Sequence, residues 1–400
     1  MISQRTIKKF SSQIVTTTLF NIVVNILNVE ALGKCRICGL ESRTISDVLG
    51  VCLQCLRRHG KRAVRLALDA HIKSREKLGL PGRPPRDGAV KCRLCVNECL
   101  LNEGERGFCG VMVCRSGRVV PVEGWDNAYV YWYLDPHPTN CVAFPVCPAV
   151  TGNGYPRYSL SRQGERGYYN LAVFYGGCNL NCLFCQNWEH WRLLSGKTRS
   201  FQELAMAAVN DYVTCICFFG GDPGPHVVHA LKSAEEALRK KAGRILRICW
   251  ETNGVVSTVL MRRMAKLSLE TGGIVKVDFK AWTPEVYQAL TGVDGVYRVR
   301  ENIKAVAEMS GLRDDPPLLV VSTLLVPGYV DSYEVRMIAR FLADLDRETP
   351  YVLLAFHPDR LLTDLPRTSS RHAQEALLAA KEEGLKRVFL GNVWLLGEWY

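Results

Sequence analysis

Cys178, Cys182 and Cys185 lie in the stretch Cys178-Asn-Leu-Asn-Cys182-Leu-Phe-Cys185, directly after the apolar run Leu171–Tyr175. A short β-branched and aromatic run of this kind reads as a buried strand, so the three thiols sit on the loop that leaves it. Thiols at this spacing can hold three irons of a cubane cluster and leave the fourth iron open for chemistry. A fourth thiolate would point instead to a closed electron-transfer cluster or a structural zinc. The fold must therefore present a strand end, with its loop, to a reaction space.

The rest of the C-terminal region meets that demand. Short apolar runs at Leu171–Tyr175, Val213–Phe219, Ile245–Trp250, Ile274–Phe279, Leu318–Val326, Tyr351–Phe356 and Arg387–Leu390 alternate with amphipathic stretches of helical length. The latter are Phe201–Val209, His226–Lys241, Val255–Leu269, Tyr333–Leu345 and His372–Glu383. A strand–helix repeat of roughly 30 to 45 residues indicates parallel strands joined by crossover helices. The expected class is α/β, a partial (β/α)6 TIM-like barrel, where chemistry gathers at the C-terminal ends of the strands.

Polar residues fall at those ends. Gly220-Gly221-Asp222-Pro223 follows the second strand, Glu251-Thr252-Asn253-Gly254 the third, Asp278-Phe279-Lys280 the fourth and Phe356-His357-Pro358 the sixth. Taken singly these are a generic turn, a helix cap at Thr252 or Asn253, a surface ion pair and a structural histidine. Cys215, Cys217 and Cys249 lie inside expected strands and read as small buried hydrophobes.

The motif Cys-x3-Cys-x-Phe-Cys resembles the signature of the radical S-adenosylmethionine (SAM) enzymes. The resemblance implies a [4Fe-4S] cluster on Cys178, Cys182 and Cys185, with SAM chelating the open iron through its amino and carboxylate groups. It also implies SAM contacts from Phe184, near which the adenine is received, from Gly220, Gly221 and Asp222, and from Glu251, Asn253, Asp278, Lys280 and His357. The departure is Asp222, where the family has a Gly-Gly-Glu-like turn. Reductive cleavage of SAM to a 5′-deoxyadenosyl radical would then drive hydrogen abstraction. Asp278-x-Lys280 is similar to the pair in enzymes that activate glycyl-radical proteins.

The remaining cysteines lie in two upstream clusters. Cys35-x2-Cys38-x13-Cys52-x2-Cys55 reads as a four-thiolate ribbon, most simply holding zinc, followed by a basic helix over Arg57–Lys77. Cys92-x2-Cys95-x3-Cys99-x9-Cys109 resembles the cysteine-rich prelude of the pyruvate formate-lyase activating enzyme-like branch, and suits either an auxiliary iron–sulfur cluster or zinc. Cys114, Cys141 and Cys147 are available as further or replacement ligands. Seventeen cysteines in such clusters indicate metal ligands in a reducing, cytoplasmic compartment rather than disulfides.

Four segments follow: an appendage over 1–33, the ribbon with its helix and Pro/Gly linker over 34–90, a cysteine-rich segment over 91–166, and a radical SAM core over 167–400. Phe10–Val29 is uncharged but rich in Ser, Thr, Gln and Asn, which argues for an amphipathic appendage, or an upstream start codon, and against stable membrane association. Of the net charge of +12, residues 1–90 carry +10, with 16 Lys and Arg against 6 Asp and Glu. That basic module suits a solvated helix face or an acidic partner such as RNA. The partners expected are an electron donor such as ferredoxin or flavodoxin, and a protein or small-molecule substrate. The alternatives are radical modification of RNA or a metabolite, and a non-enzymatic electron carrier or zinc-ribbon adaptor.

Overall fold

The structure is a computed structural model in which residues 32–398 are described; the expected appendage falls outside them except at its last two residues. Three short hairpins come first: β1 (Gly33–Lys34) with β2 (Glu41–Ser42), β3 (Val90–Lys91) with β4 (Leu100–Leu101), and β5 (Met112–Arg115) with β6 (Arg118–Pro121). Then follow β7 (Asn127–Pro136), β8 (Tyr169–Tyr175), β9 (Thr198–Ser200), β10 (Val213–Gly220) and β11 (Arg247–Thr252). The last strands are β12 (Val275–Asp278), β13 (Leu319–Leu325), β14 (Tyr351–Ala355) and β15 (Val388–Gly391).

Strands β7 to β15 form one open sheet in the order β15-β14-β13-β12-β11-β10-β8-β7-β9. β8 and β10 through β15 run parallel. Parallel neighbours need a long return path, and helices supply it between each successive pair from β10 onward. The seven expected strands are all present, within two residues at each end. Two crossover helices, Pro284–Thr291 and Val296–Ser310, were not among those expected. β7 runs antiparallel to β8, and β9 antiparallel to β7, so the cysteine-rich segment before residue 167 contributes a strand to the same sheet.

Alternation of side chains divides the sheet into two faces. Ile216, Phe218, Ile248 and Trp250 belong to the large core under the helices. There Trp250 stacks on Phe218 at 4.6 Å, and its Nε1 donates to the Met264 carbonyl at 2.9 Å. On the other face, Ala143 and Val146 pack against Ile274, Val320 and Val352. Those three residues stand at the N-terminal ends of β12, β13 and β14, so the segment around 141–146 covers that end of the face. The C-terminal ends are left for loops.

A buried ion pair locks this arrangement. Arg247, at the start of β11, donates from Nη1 to Glu165 Oε1 at 2.7 Å and from Nη2 to Glu165 Oε2 at 2.6 Å, with a further bond to Thr214 Oγ1 at 2.9 Å. Burial alone would raise the Glu165 pKa, but the Arg247 guanidinium outweighs it and holds the carboxyl down to about 2.

The N-terminal module is built into the fold. The single basic helix expected over Arg57–Lys77 is two helices, Leu53–His59 and Lys61–Glu76, broken at Gly60 with φ 46. The second buries Ala63, Val64, Ala67, His71 and Arg75, a helical stripe that seats it against the sheet domain. His71 Nε2 lies 2.9 Å from the Ala289 carbonyl. The ribbon is held by Tyr329, which accepts from Ser46 N at 3.0 Å and donates to Val51 O at 2.9 Å, and by Arg57, which binds Asp331 and Glu334.

Replacing Glu165 with Gln leaves the Arg247 cation buried and half-partnered, and should lower unfolding stability by about 3–5 kcal/mol in anaerobic urea titrations. Because the folded-state pKa of Glu165 lies below its unfolded value, the pair stabilises fully above about pH 4.5 and is lost as pH falls towards 2. The Gln variant should lack that acid-limb slope, and an unchanged limb would contradict the assignment.

Candidate active site at the cysteine loop

The loop after β8 is pinned on every side by backbone and amide contacts. Asn181 N donates to Thr291 O at 2.8 Å and Leu183 N to Leu290 O at 3.1 Å, both at the end of helix Pro284–Thr291. Arg360 donates to the Cys182 carbonyl at 2.6 Å and to Asn181 Oδ1 at 2.7 Å. Asn97 Nδ2, from the upstream cysteine segment, donates to Asn179 O at 2.7 Å. The three cysteines thus share one loop at the C-terminal end of the first parallel strand.

The strand-end residues converge here unevenly. Asn253 Nδ2 donates to Asn179 Oδ1 at 2.7 Å and lies 3.6 Å from Cys178 Sγ. Asp222 is turned inward, where its oxygens accept from Gly224 N at 2.7 Å, Thr252 Oγ1 at 2.9 Å and Asn253 N at 2.8 Å, fastening the turn after β10 to the end of β11. Burial raises its pKa to about 6 despite those donors. Gly220 has φ 105, and Gly221 passes so close to the loop that a Cβ there would stand 1.9 Å from the Gly177 carbonyl. Asp278 and Lys280 pair with each other, and the Lys280 ammonium lies 5.5 Å from the Phe184 ring centre. Glu251 faces Lys276 at 3.6 Å, deeper along the sheet. His357 contacts its own loop, with Nδ1 3.0 Å from the Pro358 carbonyl and Nε2 3.9 Å from Asp359.

The electrostatics of the loop suit an anionic metal group. Burial pushes Cys182 up to about 12 and raises Cys178 and Cys185, so the protein alone keeps these thiols protonated. Yet three cations face them. Burial works to lower Lys280, but Asp278 and then Cys182 raise it above its usual value. Burial lowers Arg360, and Cys185, Cys182 and Cys178 oppose the shift. Burial brings Arg75 down to about 9, opposed chiefly by Cys109 and Cys178. Arg75 lies against Phe108 at 3.6 Å, and its buried Nη1 has no hydrogen-bond partner among the described residues. Asn179 Nδ2, Asp278 Oδ1 and the Tyr287 hydroxyl are likewise buried without partners. Three thiols, the cations facing them and orphaned polar atoms are a donor set that fits an iron–sulfur group with a polar ligand beside it.

Arg75, Tyr287 and Arg360 were not among the expected site residues. Arg360 stands three residues after His357, at a strand end of the expected kind. Arg75 was hidden in a basic run, and Tyr287 in a helix whose pattern had gone unread.

The upstream cysteines separate into two places. Cys35, Cys38, Cys52 and Cys55 bring their sulfurs within 4.8 Å of one another, a group that could hold one metal ion. Burial works to raise Cys35, but the backbone N–H groups of Cys38 and Cys52 outweigh it and bring the thiol down to about 6, favouring the ligating thiolate. Cys92, Cys95, Cys99 and Cys109 line one small cavity together with Gly224 and Pro225, which follow the Gly220-Gly221-Asp222 turn. Cys114 lies elsewhere, its sulfur 3.9 Å from Glu103, and Cys141 and Cys147 belong to the covered face of the sheet.

Replacing Gly221 with Ala should displace the cysteine loop. Iron bound after anaerobic reconstitution should fall at least several-fold while far-UV circular dichroism stays near wild type; full iron retention would contradict the close approach.

Residues 172–342 match the radical SAM superfamily profile. The chain is 26% identical over 314 residues to an uncharacterized protein of Methanocaldococcus jannaschii, covering 77% of this chain and 82% of that one. It is 26% identical over 197 residues to the pyruvate formate-lyase 1-activating enzyme of Escherichia coli K12, covering 47% of this chain and 74% of that enzyme. Among solved structures, a radical SAM methyltransferase from Sphaerobacter thermophilus aligns with 55% of this chain and 66% of its own, at a TM-score of 0.41 and 16% identity. Among the described residues no helix is long and apolar enough to cross a membrane. With its three-cysteine loop at a strand end and its profile match from β8 onward, the chain carries a radical SAM domain.

Proposed function

We propose that Cys178, Cys182 and Cys185 ligate a [4Fe-4S] cluster, that SAM occupies its fourth iron, and that the enzyme abstracts hydrogen from a glycine of a partner protein. When bound and reduced, such a cluster supplies the electron that cleaves SAM to the abstracting radical. The observation that carries this reading is the trio of buried and half-buried thiols faced by Arg75 and Arg360, neither in an ion pair among the described residues, and by Lys280, which pairs with Asp278. The partner class rests on the similarity to the pyruvate formate-lyase activating enzyme and on the Asp278–Lys280 pair.

In this reading the protein binds, orients and excludes water. Gly220 and Gly221 let backbone approach the amino end of SAM, and Asp222 fixes that turn from behind. Asp278 Oδ1 and Asn179 Nδ2 are the free polar atoms for the methionine and ribose groups, and Phe184 offers an apolar surface to the adenine. Glu251 and His357 stand further off, at neighbouring strand ends, as contacts for the larger complex. Lys280 and Arg360 balance the charge of the thiolates, and the buried loop keeps the reacting centre dry. Cys92, Cys95, Cys99 and Cys109 hold an auxiliary cluster or zinc beside this site, and the ribbon holds one zinc on four thiolates. A ferredoxin- or flavodoxin-like reductant completes the scheme. RNA is the weaker alternative: Arg57 and Arg75 are committed to internal partners. The cleft of about 860 Å³ beside Arg360 also mixes Lys73, Lys77 and Arg192 with Asp47, Asp69 and Asp359.

Reconstituted protein with dithionite and SAM should release 5′-deoxyadenosine. Alanine at Cys178, Cys182 or Cys185 should reduce release to background, and Arg360→Ala should reduce it by about 10- to 100-fold. Release from any cysteine variant at the wild-type rate would end the proposal. With a glycyl-radical protein present, a glycyl doublet should appear in the EPR spectrum; SAM cleavage with no doublet on any such protein would remove the substrate class and leave the chemistry. Zinc should be bound at about one ion per chain at the ribbon, and Cys38→Ser with Cys52→Ser should abolish it without changing the iron content.

A further inference from the structure

Five cysteines outside this site gather on the covered face of the sheet. Cys215 and Cys217 are two residues apart on β10 and so point to one face, and Cys249 on β11 stands opposite Cys217 in register. Cys141 and Cys147 flank the short segment that packs on this face at the N-terminal end. Each of these thiols is within electrostatic reach of others: Cys147 of Cys141 and Cys249, Cys217 of Cys141 and Cys249. All five are free.

Into this group comes Lys276 from β12, 2% exposed, with Nζ 2.8 Å from Cys217 Sγ, 3.5 Å from Cys141 Sγ and 3.6 Å from Glu251 Oε2. Packing does not explain that. If these cysteines were small core hydrophobes, the buried ammonium among them would have only the part-exposed Glu251, 3.6 Å away, to offset a cost of several kcal/mol. An ammonium is what a cluster of thiolates requires. Cys215 is differently placed, since its sulfur lies 3.1 Å from Asn170 Oδ1 and 3.8 Å from His137 Nε2. Cys217 and Lys276 stand about two to three residues, roughly 7–10 Å along a strand, below Gly220 and Asp278 at the mouth.

We propose that this face holds a further metal centre, ligated by Cys141, Cys147, Cys217 and Cys249, with Lys276 donating a hydrogen bond to the Cys217 thiolate. Its occupant is an iron–sulfur cluster, because thiolates favour it and its ligands stand further apart than those of a single ion, which among the described residues only the ribbon cysteines gather closely enough to hold. The centre lies beneath the strand ends that carry the cysteine loop, close enough to exchange electrons with a cluster there or to touch a substrate that enters from the mouth. The assignment stands on the thiols and Lys276 alone and does not depend on the SAM reading.

Full-length protein reconstituted anaerobically with iron and sulfide, and separately with zinc, decides the matter. The double variant Cys217→Ser, Cys249→Ser should lose the iron and sulfide of one cluster relative to wild type, and Cys215→Ser should lose neither. Iron with acid-labile sulfide identifies the cluster, and loss of zinc alone from the double variant overturns it. Equal metal content in wild type and the double variant overturns the proposal. If the double variant fails to fold, iodoacetamide labelling of wild type replaces it. The partly exposed Cys141, Cys147 and Cys249 should label after chelation and be protected several-fold when loaded, and labelling that ignores metal overturns the proposal.

Discussion

Burial keeps Cys178, Cys182 and Cys185 from ionising by themselves, yet the protein turns Lys280, Arg360 and Arg75 towards them from three different parts of the chain. Lys280 pairs with Asp278, whereas Arg360 and Arg75 are in no ion pair among the described residues, so negative charge added beside the thiols would stabilise them. Much of the architecture serves to hold this arrangement. The β8 loop is fixed through Thr291 and Leu290, Arg360 reaches back from the loop after β14, and Arg75 is carried in by the helix Lys61–Glu76. Each element that looks peripheral in chain order contributes one contact to the same few residues.

The N-terminal module takes its place in that scheme. Tyr329, Asp331, Glu334 and Asp364 anchor the ribbon, and the following helix brings His71 and Arg75 under the cysteine loop. Arg75 lies between the thiols of Cys109 and Cys178, so one cation neighbours both the upstream cysteine cavity and the cysteine loop. Metal at one place would then be felt electrostatically at the other.

What could be read from the residues, and what could not, divides along physical lines. Parallel strands buried on both faces are continuous apolar runs, so all seven were legible within two residues. The helices Pro284–Thr291 and Val296–Ser310 were not, because their polar, Tyr- and Arg-containing faces dilute the apolar stripe. The places of the cysteine loop and of the polar residues at strand ends were legible because each directly follows an apolar run. The places of Arg75 and Tyr287 were not, since it is burial that brings them near the loop and chain order does not reveal it. Cys217 and Cys249 were read as packing residues, and only the register of β10 against β11, with Lys276 entering from β12, gives them a charged neighbour. The basic N-terminal charge, read as a surface property, is partly internal.

The central claim is that the trio of cysteines leaves one iron open to a ligand. EPR of the dithionite-reduced protein, recorded with and without SAM, tests it most directly. The account predicts that adding SAM shifts one cluster signal and that Cys182→Ala removes that signal; a reduced spectrum that SAM leaves unmoved, with all clusters loaded, would contradict it.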